Sequence, residues 1–359
     1  MKKAVLCFIV LLSLVSVSFG QSLIGARAAG MGGAGVAATR DMSCAYYNPA
    51  AMMQTGKAGF IASVGAVYSG VDKLMGAASS SNDPAKFAAD NFAADLNVNA
   101  RINGILGASI SKIGLSVLPG VMVNLQKPPA SLAAVGTAGV GYTGVLTAGY
   151  TFGFSALPAI DVGANLKYLG GMGGNINVVG NIAGGANGSQ TTYSQSGLGM
   201  DLGALCTINV PFLTSLSVGA VARDLGETVT TSMKQKSLTS AAGSSTLTEG
   251  PEVDLGSVST TIDSTYVVGV AGTVPVVGAT LAMDLESGKN FSNTHFGIEY
   301  PVLLNLLTLR AGLATGTNLS LTTVGAKIGI PFFTLNMAYV MDSKISNNNQ
   351  YVLDIAGGF

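Results

Sequence analysis

Tryptophan is absent, histidine occurs once, and charged residues make up only 10% of the chain, against roughly 25% in an ordinary soluble domain. Each scarcity removes a class of function. With His295 alone and three scattered cysteines, Cys7, Cys44 and Cys206, no paired Cys/His spacing exists for a metal, and a hydrolytic triad has only one candidate base. No enzyme, cofactor or metal site is expected. The formal net charge is zero, so there is no clustered basic face to hold nucleic acid. Beyond the first twenty residues, no apolar run approaches the ~20 residues that a membrane helix needs.

What the chain does have begins at its N-terminus. Lys2 and Lys3 precede an apolar run from Ala4 to Val17, and Ser18-Phe19-Gly20 sets small residues at the two positions a signal peptidase reads. Residues 1–20 read as a secretory signal peptide, with the mature chain starting near Gln21. No cysteine stands immediately after the cleavage site, which argues against a lipid anchor. Cys44 and Cys206 remain after processing and are expected to be free thiols, two isolated cysteines being no disulfide framework.

Composition then narrows the fold. Apolar residues make up 48% of the chain and glycine contributes 49 residues. Lipid admits only structures that satisfy their own backbone groups, helices or closed barrels. Glycine is costly in helices but suits close strand approach and tight bends. A secreted, apolar chain without membrane helices is therefore expected to be an all-β transmembrane barrel. A secreted soluble β-sandwich or a Gly/Ala-rich fibrous protein is the alternative.

Periodicity supports the barrel. Alternating segments of about ten residues, the barrel signature, run at 59–69, 96–109, 114–125, 135–154, 160–170, 197–209, 216–224, 265–273, 278–285, 294–300, 306–312, 319–328, 334–341 and 351–359. That makes fourteen candidate strands, antiparallel and up-and-down. The connections alternate in character too. One set is short, apolar and often contains proline, as at Pro158, Pro211, Pro275, Pro301 and Pro331. The other is polar and often long, at 71–95, 171–196, 225–264, 287–293, 314–318 and 342–350. Short periplasmic turns and long outer loops are what such barrels show. Within 71–95, Asp83 and Pro84 read as the cap and first residue of a short helix. The loop at 225–264 is Ser/Thr-rich and expected to be mobile. Charges inside the strands, including Arg223 and Arg310, are expected to face the lumen, because charge on the lipid face is costly.

Between the signal and the first strand lie Ala26-Arg27-Ala28-Ala29-Gly30-Met31-Gly32-Gly33-Ala34, then Asp41, then Asn48-Pro49-Ala50. Gly30, Gly32 and Gly35 match the dinucleotide fingerprint literally, but they follow a signal peptide rather than a buried strand. The pattern instead resembles the FadL family of outer-membrane transporters, and within that superfamily the PorV-like proteins and a spirochaete branch. The stretches 162–169, 220–226, 309–312 and 319–342 look like further family blocks. The terminal Phe359 resembles the signal by which outer-membrane barrels engage their assembly machinery.

The resemblance implies that residues 58–359 form a fourteen-stranded barrel in the outer membrane of a diderm bacterium. Residues 21–57 would then fold into its lumen as a hatch, with Asn48, Pro49 and Ala50 matching the hatch motif. Gly32 and Gly33 suit the tight turns of a segment packed inside a narrow lumen. An exposed turn before the first strand is the other reading of Asn48-Pro49-Ala50. The resemblance also implies a lateral gate at a kink in the third strand. Pro119 and Gly120 lie there; proline removes a ladder hydrogen bond and glycine relaxes the backbone. The other reading makes this pair a hairpin turn. Uptake of a hydrophobic small molecule follows, long-chain fatty acid being the family's type substrate, with lipid around the barrel. The PorV-like alternative is a barrel that binds partner proteins at its outer loops.

Overall fold

The computed structural model describes residues 23–70, 96–127, 133–155, 157–180, 185–210, 213–241, 247–303, 306–317, 319–345 and 348–358. The expected signal peptide, the short helix expected at Asp83-Pro84 and the terminal Phe359 lie outside the described residues.

From residue 58 the chain is almost entirely strand. The first seven are β1 (Ala58–Ser69), β2 (Leu96–Ile110), β3 (Ile113–Lys127), β4 (Ala133–Phe152), β5 (Ile160–Gly180), β6 (Ala186–Val210) and β7 (Leu213–Ser240). Two short pieces, β8 (Thr248–Glu249) and β9 (Val253–Thr261), pair only with the far half of β7. The wall resumes with β10 (Thr265–Thr273), β11 (Thr280–Gly288), β12 (Phe291–Leu303) and β13 (Leu307–Gly316). It ends with β14 (Ser320–Ile330), β15 (Phe333–Asp342) and β16 (Gln350–Gly358). Neighbours pair antiparallel, β10 joins the near half of β7, and β16 closes the ring on β1, from Gly59 opposite Gly358 to Val67 opposite Gln350. Without β8 and β9, this is a closed up-and-down barrel of fourteen strands.

The period-two pattern sets which face meets which medium. On β1, Ile61, Ser63 and Val67 are buried inside, whereas Phe60, Val64 and Tyr68 are exposed on the outer wall. On β16, Gln350, Val352, Asp354 and Ala356 point in, and Tyr351, Leu353 and Ile355 point out. An outer face of Leu, Val and Ile matches lipid and would be a liability in water. Tyrosine and phenylalanine supply the interfacial rings that tryptophan often supplies elsewhere. Tyr68 and Tyr339 flank Tyr351 at the long-loop end, with centroids 6.0 and 4.8 Å away. Tyr150 and Phe152 pair at 4.9 Å near the short-turn end.

Two of the expected loops are largely strand. β5 continues to Gly180 and β6 begins at Ala186, so most of 171–196 is paired. β7 runs on to Ser240, and β9 folds back along it, which overturns the mobile loop expected at 225–264. Hydroxyl pairs hold this sheet, Thr230–Ser259 at 2.9 Å and Ser232–Ser257 at 2.7 Å. Exposed ion pairs add Lys234–Glu252 and Lys236–Glu249, each at 2.8 Å. Beyond the lipid no apolar face is needed, so a strand there loses the alternation by which the others are legible.

The residues before β1 fill the lumen. They form α1 (Ala26–Gly30), α2 (Cys44–Tyr47) and a 3₁₀ turn at Pro49–Gln54. Met31, Met42 and Met52 are fully buried between this hatch and the inner wall. Burial of such a side chain stabilises by about 1.5–3 kcal/mol. The core of the protein is thus inside the barrel.

Candidate functional site: two chambers divided by a hatch

The hatch sits close against the wall because glycines on both sides remove side chains from the contact. Gly32 has φ +68°, and a Cβ there would lie 2.6–2.7 Å from the main-chain atoms of Leu313 and Phe296. Opposite it, a Cβ on wall residue Gly312 would fall on the backbone at Met31 and Gly32. Gly33, with φ +89°, leaves room for the imidazole of His295.

Asn48 joins three pieces of chain. Its Oδ1 accepts from the Ala50 N–H at 3.1 Å, capping the 3₁₀ turn. Its Nδ2 donates to Val36 O at 3.0 Å, within the hatch, and to Ala204 O at 3.1 Å, on β6. Pro49 is the first residue of that turn and lies on the bare backbone of Gly163 in β5. Ala50 is fully buried beside it. The exposed-turn reading of these residues does not hold, since all three are buried in the lumen.

Polar side chains of the wall hold the rest of the hatch. Asp284 accepts from the N–H groups of Gly35 and Val36 at 2.7 and 2.9 Å. Asp354 accepts from Ala26 N–H at 2.6 Å, and Gln350 brackets Leu23 through both its N–H and its carbonyl. Thr323 accepts from Gly32 N–H at 3.0 Å and donates to Gly30 O. His295 Nδ1 lies 2.7 Å from Gly32 O, which places the single histidine in the lumen as a hatch contact. Cys44 and Cys206 are both free. Cys44 is sealed in the hatch, and burial pushes its thiol well above the usual range.

Toward the long loops lies a chamber of about 630 Å³. Part of its wall is apolar, with Tyr46 of the hatch, Leu118, Val145, Leu169, Val229 and Val267. The rest is charged. Lys167 meets Asp201 at 2.9 Å, Glu227 at 2.8 Å and also Asp224. Arg223 pairs with Glu286 at 3.5 Å, donates to Tyr47 O at 3.1 Å and sits 5.4 Å from the Tyr46 ring centroid. Among the described residues, six carboxylates line this chamber, Asp201, Asp224, Glu227, Asp263, Asp284 and Glu286, against the two permanent cations Lys167 and Arg223.

Asp224 and Glu227 were not legible as site residues, since they fall at the edge of the expected loop. The register of β6 on β7 shifts twice here, between Leu198 and Leu202. Asp224 and Gly226 both have positive φ, near 60°. Such bulges re-aim side chains, and these turn a short charged run toward Lys167. The signal in the sequence was Arg223-Asp224-Leu225-Gly226-Glu227, charge clustered around a glycine rather than alternating.

A second chamber of about 440 Å³ lies on the other side of the hatch, toward the short turns. Its ceiling is an ion-pair cluster. Arg27 of the hatch and Arg310 of β13 share Glu299 of β12, at 3.0 and 2.7 Å. Arg310 also donates to Asn336 at 2.9 Å. Arg223 and Arg310, the two expected lumen cations, therefore belong to different chambers. Arg40 and Lys327 line the lower chamber with them. Burial, reinforced by the nearby Arg27 charge, lowers the Arg40 guanidinium to about 10.

Pro119 and Gly120 lie inside β3, which rules out the hairpin-turn reading. The ladder to β4 is unbroken there. The ladder to β2 keeps its register but lacks the pairs of Gly104 and Ile105 with Pro119 and Leu118. Proline has no N–H to give β2. The Leu118 side chain, buried inside, lines the outer chamber at this break.

No protein-family model matches the sequence, and no curated protein matches it. Solved structures do share the fold. The toluene transporter TbuX of Ralstonia pickettii is similar over 95% of this chain and 100% of its own, with a TM-score of 0.59 at 11% identity. A FadL homologue of Pseudomonas aeruginosa gives 0.58 at 11% identity, covering 94% of this chain and 99% of its own. The toluene transporter TodX of Pseudomonas putida gives 0.56 at 10%, covering 92% and 96%. At such identities the likeness is one of fold alone.

Proposed function

We propose that this protein admits hydrophobic small molecules through the outer membrane. The observation that carries this reading is the outer chamber's apolar wall, which reaches the break in the β2–β3 ladder at Leu118 and Pro119. A molecule entering from the loop side would rest on Tyr46 and leave sideways into lipid where the two strands are least joined. The hatch, fixed by Asn48, Pro49 and Ala50 and seated through Gly32 and Gly33, closes the direct path below. Two of the structures that share the fold are toluene transporters, which supports a hydrophobic cargo. Long-chain fatty acid fits less simply, because a carboxylate would enter a chamber lined by six others; we expect neutral molecules, or the protonated acid. Replacing Pro119 with valine tests the route by restoring the missing donor.

A second reading rests on β6, β7 and β9, whose far halves form a sheet beyond the barrel wall. That sheet offers a surface for a partner protein, as in the PorV-like alternative. If partner binding is the function, deleting 236–252 abolishes it; uptake is indifferent to that deletion.

A further inference from the structure

The two chambers carry opposite charge, and the lower one is the less explained. Among the described residues, Arg27, Arg40, Arg310 and Lys327 line it, against Asp41 and Glu299. The two carboxylates offset only half of this positive charge. Glu299 is already shared by two guanidinium groups. Asp41 accepts from the N–H and hydroxyl of Ser43. Arg40 donates hydrogen bonds only to neutral groups, Ala37 O at 2.9 Å, Thr39 O at 2.7 Å and Ser217 Oγ at 2.9 Å, and feels the charge of Asp161 without an ion pair to it. Lys327 reaches inward from β14 and makes no hydrogen bond or ion pair within the described chain.

A protein seldom half-buries unmatched cations around a cavity without an anion to meet them. The surrounding wall is of low dielectric, which focuses the field of the surplus into the chamber. Its volume, about 440 Å³, is of the size that holds small ligands, roughly 300–1,000 Å³. Its mouth lies at the short-turn end, where Ile330, Phe332 and Phe333 give an apolar rim. Charge above and apolar side chains below define an amphipathic site.

We propose that the lower chamber is a binding site for an anionic group, a phosphate or carboxylate, presented from the periplasmic side. Lys327 and Arg40 make the ion pairs, and Ile330 and Phe333 take whatever apolar body the anion carries. The site is separate from the uptake route, which leaves through the wall above the hatch, so it stands whether or not that route is correct. A free anion and the head group of an amphiphile share this chemistry.

The test is calorimetric, on the full barrel in phosphatidylcholine nanodiscs, with inorganic phosphate, hexyl phosphate and hexylamine as probes. Saturable binding of a phosphate, with no binding of hexylamine, is expected. Inorganic phosphate binding as tightly as hexyl phosphate identifies a free-anion site. A preference of tenfold or more for hexyl phosphate identifies an amphiphile's head group. Lys327→Met should weaken either by at least tenfold, and Arg40→Met, checked for intact barrel fold, should do the same. No saturable anion binding, or affinity unchanged in both variants, overturns the proposal.

Discussion

Arg27 of the hatch grips Glu299 of β12 at two points, with Nε and Nη2 each 3.0 Å from a carboxylate oxygen. The pair joins residues 272 positions apart in the chain, and it is not symmetric in its consequences. Glu299 also neutralises the buried Arg310. Removing the carboxylate strands two guanidinium groups, and breaking a buried pair in this way costs about 3–5 kcal/mol. Removing Arg27 leaves Glu299 paired with Arg310 and should cost less. Glu299→Leu is therefore expected to release the hatch and Arg27→Met to loosen it. Amide hydrogen exchange across residues 26–38 measures both; equal effects would remove the asymmetry claimed for Glu299.

Gly312 of the wall lies against the Gly32 backbone of the hatch, where a Cβ on Gly312 would come within 2.1 Å of Gly32 N. Gly312→Ala sets a methyl group where the Gly32 backbone lies, with no flexible side chain to give way. We expect a barrel that still forms, since β13 keeps its ladders, but with the hatch displaced. Limited proteolysis within 26–40 should become fast in this variant and stay slow in Gly136→Ala, where the nearest atom to a new Cβ is 3.8 Å away.

The surplus of carboxylates in the outer chamber predicts an order of cargo. Dodecanol should enter cells at least about tenfold faster than dodecanoate, a difference of roughly 1.4 kcal/mol. Glu227→Gln should narrow the gap, because Lys167 would keep Asp201 and Asp224 while one negative charge is lost. Equal rates for alcohol and carboxylate would show that this wall does not sort charge.

Deleting 236–252 removes the tip of the sheet formed by β7, β8 and β9 but none of the near half of β7 that pairs with β10. Uptake and thermal stability of the barrel should not change. Loss of either would mean that the projecting sheet supports the chambers.

The barrel was legible because lipid imposes a strict alternation, as on β16, where Tyr351, Leu353 and Ile355 repeat every second residue. The same physics explains the misses. Past Gly170 on β5 and Leu225 on β7 no lipid demands an apolar face, so paired strands read as polar loop. The glycine cluster and Asn48-Pro49-Ala50 marked the hatch by residue type. Its partners Asp284, Thr323, Gln350 and Asp354 gave no such mark, because a wall residue that accepts from a distant N–H looks like any other polar lumen residue. Division of the lumen into an acidic and a basic chamber depends on register and bulges, which the sequence does not spell out.

The most direct test of the uptake route is the rate at which labelled dodecanol enters cells of an outer-membrane host that lacks its own transporter for long-chain molecules. The wild-type barrel and Pro119→Val would be compared at equal, folded surface levels. Valine restores the N–H that β3 withholds from β2 at Gly104. Uptake well above that of empty cells is expected for the wild type, falling toward the empty-cell rate in the variant. Wild-type uptake no faster than empty cells, or a variant as fast as the wild type, would contradict it.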